Sequence, residues 1–334
     1  MIRKSTASDP QPFSGLTPEV VLDAAADVGL DPDGRLFALN SYENRVYQLH
    51  GGERILVLKF YRPARWSDAQ ILEEHAFTAE LAAAELPVAA PLVFEGATLL
   101  RYREYRFACF PWLRGRAPEL DAPQARQLLG RSLARLHQVG ARRPFLVRAR
   151  IGIERFGWEA RAQVLSSELL PEALAERYAS VSGALLERVT AGFAEAGEVG
   201  AIRLHGDCHL GNLLWNEQGP AFVDLDDCAM GPRIQDLWMM LSGPGPEQQR
   251  QWGELLEGYS QFADFAPAEL ALIEPLRSLR MLHHAAWVAH RWNDPAFPRA
   301  FPWIGEPRYW EGYVQDLLEQ IEAIDDPPLL QGRA

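Results

Sequence analysis

The sequence predicts an α+β protein of two lobes, a small one built on an antiparallel sheet and a larger one that is mainly helical. Three observations carry this. Residues 35–63 alternate β-favouring runs with turn signals. From residue 113 onward helical patterns dominate, and a single hairpin-like segment, "AIRLHGDCHLGNLLWNEQGPAFVDLDDC", interrupts them.

In chain order, residues 1–14 are polar and proline-containing and read as a flexible tail. Thr17-Pro18-Glu19 then supplies an N-cap, a proline at the first helical position and an acidic first turn, opening a short helix that ends near Gly29. "RLFALNSYENRVYQLHGGERILVLKFYRP" gives three strands separated by Asn/Ser and Gly-Gly turns. A helix follows from about Ser67 to Glu85, with Ile71, Leu72, Phe77, Leu81 and Leu86 near helical spacing before Pro87 stops it. "VAAPLVFEG" and "ATLLRYREYRFACFPWL" supply further strands. Residues 15–112 are therefore expected to form the first lobe and residues 113–334 the second. Helices in the second are expected at about 122–139, 158–165, 171–196, 234–241, 247–262, 267–292 and 306–324, with "NLLW" and "AFVDL" flanking an Asn-Glu-Gln-Gly turn.

Composition removes several classes of function. A formal net charge of -12 argues against a surface that neutralises nucleic-acid phosphates. No run of about 18 apolar residues suggests a membrane span. Cys109, Cys208 and Cys228 are widely spaced, with no C-x-x-C pair, so reduced cytoplasmic thiols are expected; with no signal-like apolar run either, the chain reads as a soluble cytosolic protein, and a monomer is expected.

"HGDCHLGNLLW", residues 205–215, crowds His, Asp and Cys together and invites a zinc reading. Neighbours such as Asp207, Cys208 and His209 tend to point apart, however, and the wider pattern is different. Asp207 is followed five residues later by Asn212, and Asp224 ends the far arm of the hairpin in "FVDLDD". That spacing is the order of a kinase catalytic loop and its magnesium-binding segment. Asn212 and Asp224 offer hard oxygens to Mg2+, and Asp207 remains as the carboxylate that orients a hydroxyl and accepts its proton. His205 reads as a structural loop histidine, and Cys208 and His209 as packing or loop residues. Asp226 and Asp227 could assist the metal or be solvated loop acids. Asp236, twelve residues after Asp224, either accepts backbone N–H bonds from the catalytic loop or serves the dipole of its helix.

For the nucleotide, Lys59 stands inside the apolar strand "ILVLKFY" of a chain whose 33 basic residues include only one other lysine, Lys4. An ammonium there suits phosphates and a partner carboxylate; a snorkelling surface lysine is the alternative. Glu73 and Glu74 are the candidate partners, with Glu74 favoured. The turn "NSYENRVY" lies where a glycine-rich phosphate loop would be expected, and there Ser41, Asn44 and backbone N–H groups could contact phosphate.

"LHGDCHLGNLLW", "FVDLDDCAMGPRIQDLWMML" and "HRWNDPAFPRAFPW" resemble the bacterial stress response kinase A family, within the aminoglycoside phosphotransferase and choline kinase-like superfamily. The resemblance spans nearly the whole chain. It implies a two-lobed protein-kinase-like fold, ATP and Mg2+ as cofactors, and phosphorylation of protein Ser/Thr. It makes Asp207 the proton acceptor, Asn212 and Asp224 the magnesium ligands and Lys59 the ATP-binding lysine. "CFPW", with Phe110 and Trp112, takes the place of the adenine-contacting hinge. Glycine replaces the arginine of the His-Arg-Asp triplet of ordinary protein kinases, and little room remains for an activation loop before "GPRIQD".

A small alcohol of the choline, homoserine or aminoglycoside type is the alternative acceptor, and a silent nucleotide binder the third reading. "RSLRMLHHAAWVAHRWNDPAFPRAFPW" places His283, Trp287 and His290 on about one helical face, either a packing surface or a substrate wall. The acidic chain favours basic substrates, whereas Arg277, Arg280 and Arg291 act locally the other way.

Overall fold

The computed structural model describes residues 12–326, which fall into two compact units. One runs to Ala79 and takes up Ala89–Leu113; the other comprises Glu80–Val88 and continues from Arg114. The sequence pattern keeps 80–88 with the first lobe. The structure counts it with the second unit, where Glu80 Oε2 accepts from Arg203 Nη2 at 2.7 Å. Of the expected tail, residues 1–11 lie outside the described residues, and Phe13 packs against the core of the first unit.

The first unit begins with α1 (Pro18–Asp27), capped by Thr17, whose hydroxyl accepts from Val20 N. Its sheet holds β1 (Leu36–Leu39), β2 (Arg45–Gly51) and β3 (Arg54–Phe60). After α2 (Asp68–Ala83) come β4 (Leu100–Tyr102) and β5 (Tyr105–Pro111). The order is β1-β2-β3-β5-β4, with every neighbouring pair antiparallel. The two-residue period sorts side chains to opposite faces. Leu58, Phe60, Phe107 and Cys109 join the core that α1 covers with Val20, Val21, Ala24 and Ala25. Tyr61, Ala108 and Phe110 join Ile71 of α2 on the other face, with Val57 packed against them. Burial in the first of these cores pushes the Cys109 thiol up to about 12.

The expected strand in "VAAPLVFEG" is absent. Pro91 cannot donate to a ladder, and the stretch makes only the isolated bridges Val88–Phe222 and Phe94–Ala97, plus a 2.7 Å bond from Leu92 N to Cys109 O.

In the second unit α3 (Pro123–Gly140) is followed by a π-helical turn over Glu154–Glu159, where no helix was expected before residue 158, and by α4 (Ala160–Leu165) and α5 (Glu172–Ala196). Two short antiparallel pairs come next. β6 (Ile202–Leu204) pairs with β9 (Ala229–Gly231), and between them lies the hairpin of β7 (Leu213–Asn216) and β8 (Gly219–Phe222). The β6–β9 pair was not foreseen, because three residues are too few to display a period.

The chain then forms α6 (Ile234–Trp238), shorter than expected, α7 (Gly245–Tyr259), a 3-10 segment over Pro267–Leu272 and α8 (Ile273–Arg291). The short α9 (Ala296–Ala300), also unforeseen, and α10 (Pro307–Asp325) complete the unit. Leu185 and Leu186 of α5, Leu279 and Leu282 of α8, and Trp310 and Val314 of α10 build its main helical core. α3 and α7 pack closely at Gly130 and Gly258, where an added Cβ would meet Leu255 O at 2.1 Å and Gln127 O at 1.9 Å. Among the described residues, no helix is long and apolar enough to cross a membrane.

Candidate functional site

The strand alternation that fills the first unit's core also places Lys59. It lies opposite Val46 of β2 and Ala108 of β5, on the α2 face, and is 7% exposed. Glu74 stands on the buried stripe of α2, three residues after Ile71 and four before Thr78, whereas Glu73 is turned partly outward. Lys59 Nζ is therefore 3.4 Å from Glu74 Oε1. It also lies 5.3 Å from the centroid of the Tyr61 ring. That ring is fixed by a 2.7 Å bond between its hydroxyl and His75 Nε2, while His75 Nδ1 bonds Thr98 Oγ1 at 2.8 Å.

The other nucleotide-side candidates divide. Ser41 lies half-buried in the β1–β2 turn. Asn44 is buried, and its Oδ1 accepts from Arg62 N at 3.1 Å. Arg62 Nε also bonds the Glu43 carbonyl at 3.0 Å and its carboxylate at 2.8 Å. Asn44 thus shapes the turn, and its amide oxygen is engaged within the protein. Phe110 is a core residue of β5 on the Lys59 face, edge-on to His75. Trp112, half-buried just past the strand, bonds back to Ile55 O through its backbone N–H.

In the second unit the loop between β6 and β7 carries His205, Asp207 and Asn212. Its anchor is Asp236, fully buried on α6, which accepts His205 N at 2.8 Å and Gly206 N at 2.9 Å. A carboxylate holding two backbone N–H groups fixes a loop strongly. Asp236 is itself approached by His137 Nε2 at 3.3 Å, and His137 Nδ1 bonds Tyr259 Oη at 2.9 Å, so the α3–α7 packing supports the anchor. Both readings of Asp236 concern one residue, and the backbone contacts are the ones it makes. His205 is a structural residue: its Nε2 donates to Val223 O at 2.9 Å.

Gly206 has φ +85°, and a Cβ there would lie 2.3 Å from Asp227 O. No side chain can occupy this position without displacing the following loop. That explains in local terms why the arginine of ordinary kinases is missing.

Asn212 ends a 3-10 turn and donates through Nδ2 to Asp207 O at 2.9 Å, which leaves its amide oxygen as a hard donor. Its carbonyl accepts from Val223 N at 3.0 Å, tying the loop to the residue before Asp224. Asp224 is exposed and left-handed, with φ 57°, a strained backbone for a non-glycine residue. The next acid, Asp226, is 2% exposed, and hence is not a solvated loop residue. Its carbonyl accepts from Arg148, which also bonds Cys228 O at 2.9 Å, while Asp227 is exposed. Asn212 and Asp224 fit a magnesium ion in the chemistry of their oxygens. Among the described residues no group of three or more His, Cys, Asp or Glu could hold a metal ion. Two protein oxygens are nonetheless sufficient where Mg2+ takes its remaining ligands from phosphates and water.

Asp207 has two neighbours that local pattern did not reveal. His209, taken from the sequence as a packing or loop residue, accepts Gly211 N on Nδ1 at 3.0 Å, which leaves the proton on Nε2, 3.5 Å from Asp207 Oδ2. Arg280 Nη1 of α8 donates to Asp207 Oδ1. Burial pushes the Asp207 carboxyl up, but His209 and Arg280 more than offset it and hold the group well below the usual carboxylate range. Arg280 is 73 positions from Asp207 and carries no motif that could have identified it. Cys208 is fully buried, and burial pushes its thiol up.

On α8 the aromatic residues pack on one another. Trp287 meets Phe297 at 5.0 Å and Phe301 at 5.7 Å between centroids, and His283 lies 4.3 Å from Phe156. His284, with Arg280 one turn before it, occupies the exposed face.

Comparison with known proteins gives a consistent picture. The phosphotransferase enzyme family matches over residues 36–273. Stress response kinase A of Salmonella choleraesuis (strain SC-B67) is 45% identical over 318 residues, 95% of this chain and 96% of that one. The same identity and coverage hold for a serine/threonine protein kinase, RdoA, of Salmonella typhimurium (strain LT2). Among solved structures, amicoumacin kinase hAmiN in complex with AMP-PNP, Ca2+ and Ami has a TM-score of 0.68 at 19% identity, covering 93% of this chain and 94% of that one. At that identity the likeness is one of fold.

Proposed function

We propose that this chain, which belongs to the phosphotransferase enzyme family and within it to the stress response kinase A proteins, transfers the γ-phosphoryl group of ATP to Ser or Thr hydroxyls of protein acceptors, with Mg2+, in the cytoplasm. The observation that carries the reading is the loop anchored by Asp236, which holds Asp207 beside Asn212 and ties that loop to the strand before Asp224.

In this reading Asp207 orients the acceptor hydroxyl and takes its proton as the new O–P bond forms and the bond from the γ-phosphorus to the bridging oxygen breaks, with ADP leaving. Asn212 and Asp224 hold Mg2+, which when bound neutralises charge on the phosphate oxygens. Lys59, kept in place by Glu74 and the Tyr61 ring, is the cation for the α- and β-phosphates. His205 and Asp236 position the loop and do not touch the reacting atoms.

A small alcohol is the second reading of the acceptor. Only twelve positions separate Asp224 from Asp236, which is short for an activation loop, and hAmiN, a kinase by name, shares the fold. The test uses γ-labelled ATP and Mg2+ with a protein acceptor in one arm and small alcohols in the other. Asp207→Ala should abolish label in whichever arm is active while leaving ATP binding in place. Undiminished transfer would remove Asp207 as proton acceptor.

A further inference from the structure

Arg280 has no part in the chemistry just described, yet it bonds the central carboxylate of that chemistry. It stands on the exposed side of α8, and its Nη1 donates to Asp207 Oδ1. The two side chains are 42% and 27% exposed, so the pair is open to a solute. Among the described residues, Asp207 is the one acid that pairs with Arg280. Two histidines adjoin the pair: His209 Nε2 faces Oδ2 at 3.5 Å, and His284 follows Arg280 by one helical turn.

A guanidinium keeps its charge at any accessible pH and has five N–H donors but no acceptor. A hydroxyl that hydrogen-bonds to Asp207 competes with Arg280 for the same carboxylate. The partner that satisfies a displaced guanidinium best is another anion, taken through two parallel N–H bonds.

We propose that Arg280 is a specificity-determining residue of the acceptor site, which recognises a carboxylate or phosphate carried by the acceptor next to the hydroxyl that is phosphorylated. The inference rests on the phosphotransferase reading of Asp207. The acidic group comes from a neighbouring side chain in a protein acceptor or from a small hydroxy acid, and the two sources share this chemistry.

The full chain with Mg2+ and γ-labelled ATP tests it. One arm uses peptides in which a serine is flanked by Glu, Gln or Arg; the other pairs a hydroxy acid with its neutral amide. kcat/KM is measured for the wild type, Arg280→Gln and Arg280→Lys, with a thermal shift on ATP confirming that each variant is folded.

The wild type should favour the acidic acceptor over its neutral isostere by about tenfold, the scale of one hydrogen bond to a charged group. Arg280→Gln should bring that ratio close to one, the loss falling on the acidic acceptor, and Arg280→Lys should keep part of it. The arm that accepts label identifies the source of the acid. Transfer with the same acceptor ratio in wild type and Arg280→Gln overturns the inference and leaves the phosphotransferase reading standing. No label in either arm overturns the reading, and the inference with it.

Discussion

Lys59–Glu74 and Arg280–Asp207 are both pairs of one cation and one carboxylate, and they differ in almost everything else. The first joins a strand to a helix within the first unit, with side chains 9% and 3% exposed. The second joins a loop to α8 within the second unit, with side chains 42% and 27% exposed. In the first the cation is an ammonium fixed by its strand register and by an aromatic ring; in the second it is a long arginine on an open helical face. A sealed pair cannot exchange partners without leaving a charge stranded, whereas an open pair can exchange with a solute at small cost. Under the proposed roles, the sealed pair would hold a bound molecule in a fixed place and the open pair would test what arrives.

The largest expected effect lies in the sealed pair. Lys59→Ala should lower kcat/KM for ATP by about 10²- to 10³-fold, the loss typical of removing one aligned donor at a developing charge. Lys59→Arg should not restore it, because the planar fork does not replace the compact ammonium. Unchanged ATP kinetics would break the assignment. Next comes stability. Glu74→Gln leaves Lys59 buried without its carboxylate and should cost about 3 kcal/mol in urea unfolding. A loss below about 1 kcal/mol would mean that the first pair behaves like the second.

The smallest effect belongs to Arg280→Gln, which should change unfolding stability by less than about 1 kcal/mol, as expected for an exposed pair screened by water and salt. A loss comparable to that of Glu74→Gln would show that Arg280 is a structural strut, and the contrast between the pairs would collapse.

What could be read from the sequence follows the range over which each signal acts. Asp207, Asn212 and Asp224 lie within 18 positions, so their spacing was visible, and Lys59 stood out because the chain otherwise uses arginine. Helical spacing is enough to favour Glu74 over Glu73 once Ile71 is known to face inward. Strand alternation also turns Phe110 to the Lys59 face, a placement that a motif match does not register. Asn44 is tied to Arg62, 18 positions away, through its carboxamide oxygen, a contact that sequence alone does not reveal. Arg280 and His209 could not be read as neighbours of Asp207. One depends on the packing of a distant helix, and the other on which ring nitrogen a turn engages. The elements missed, β6, β9 and α9, have three, three and five residues and give too little periodicity to register.

Gly206 has a consequence for control over time. Ordinary protein kinases are switched when a phosphate on a mobile loop finds arginine partners. Here the backbone beside Asp207, the proposed proton acceptor, is left-handed and lies against the Asp227 carbonyl, so the position can hold no arginine to receive such a signal. Two backbone bonds to Asp236 fix the loop at this point. Under the proposed function, an arginine at this position that receives a loop phosphate is not an available means of control.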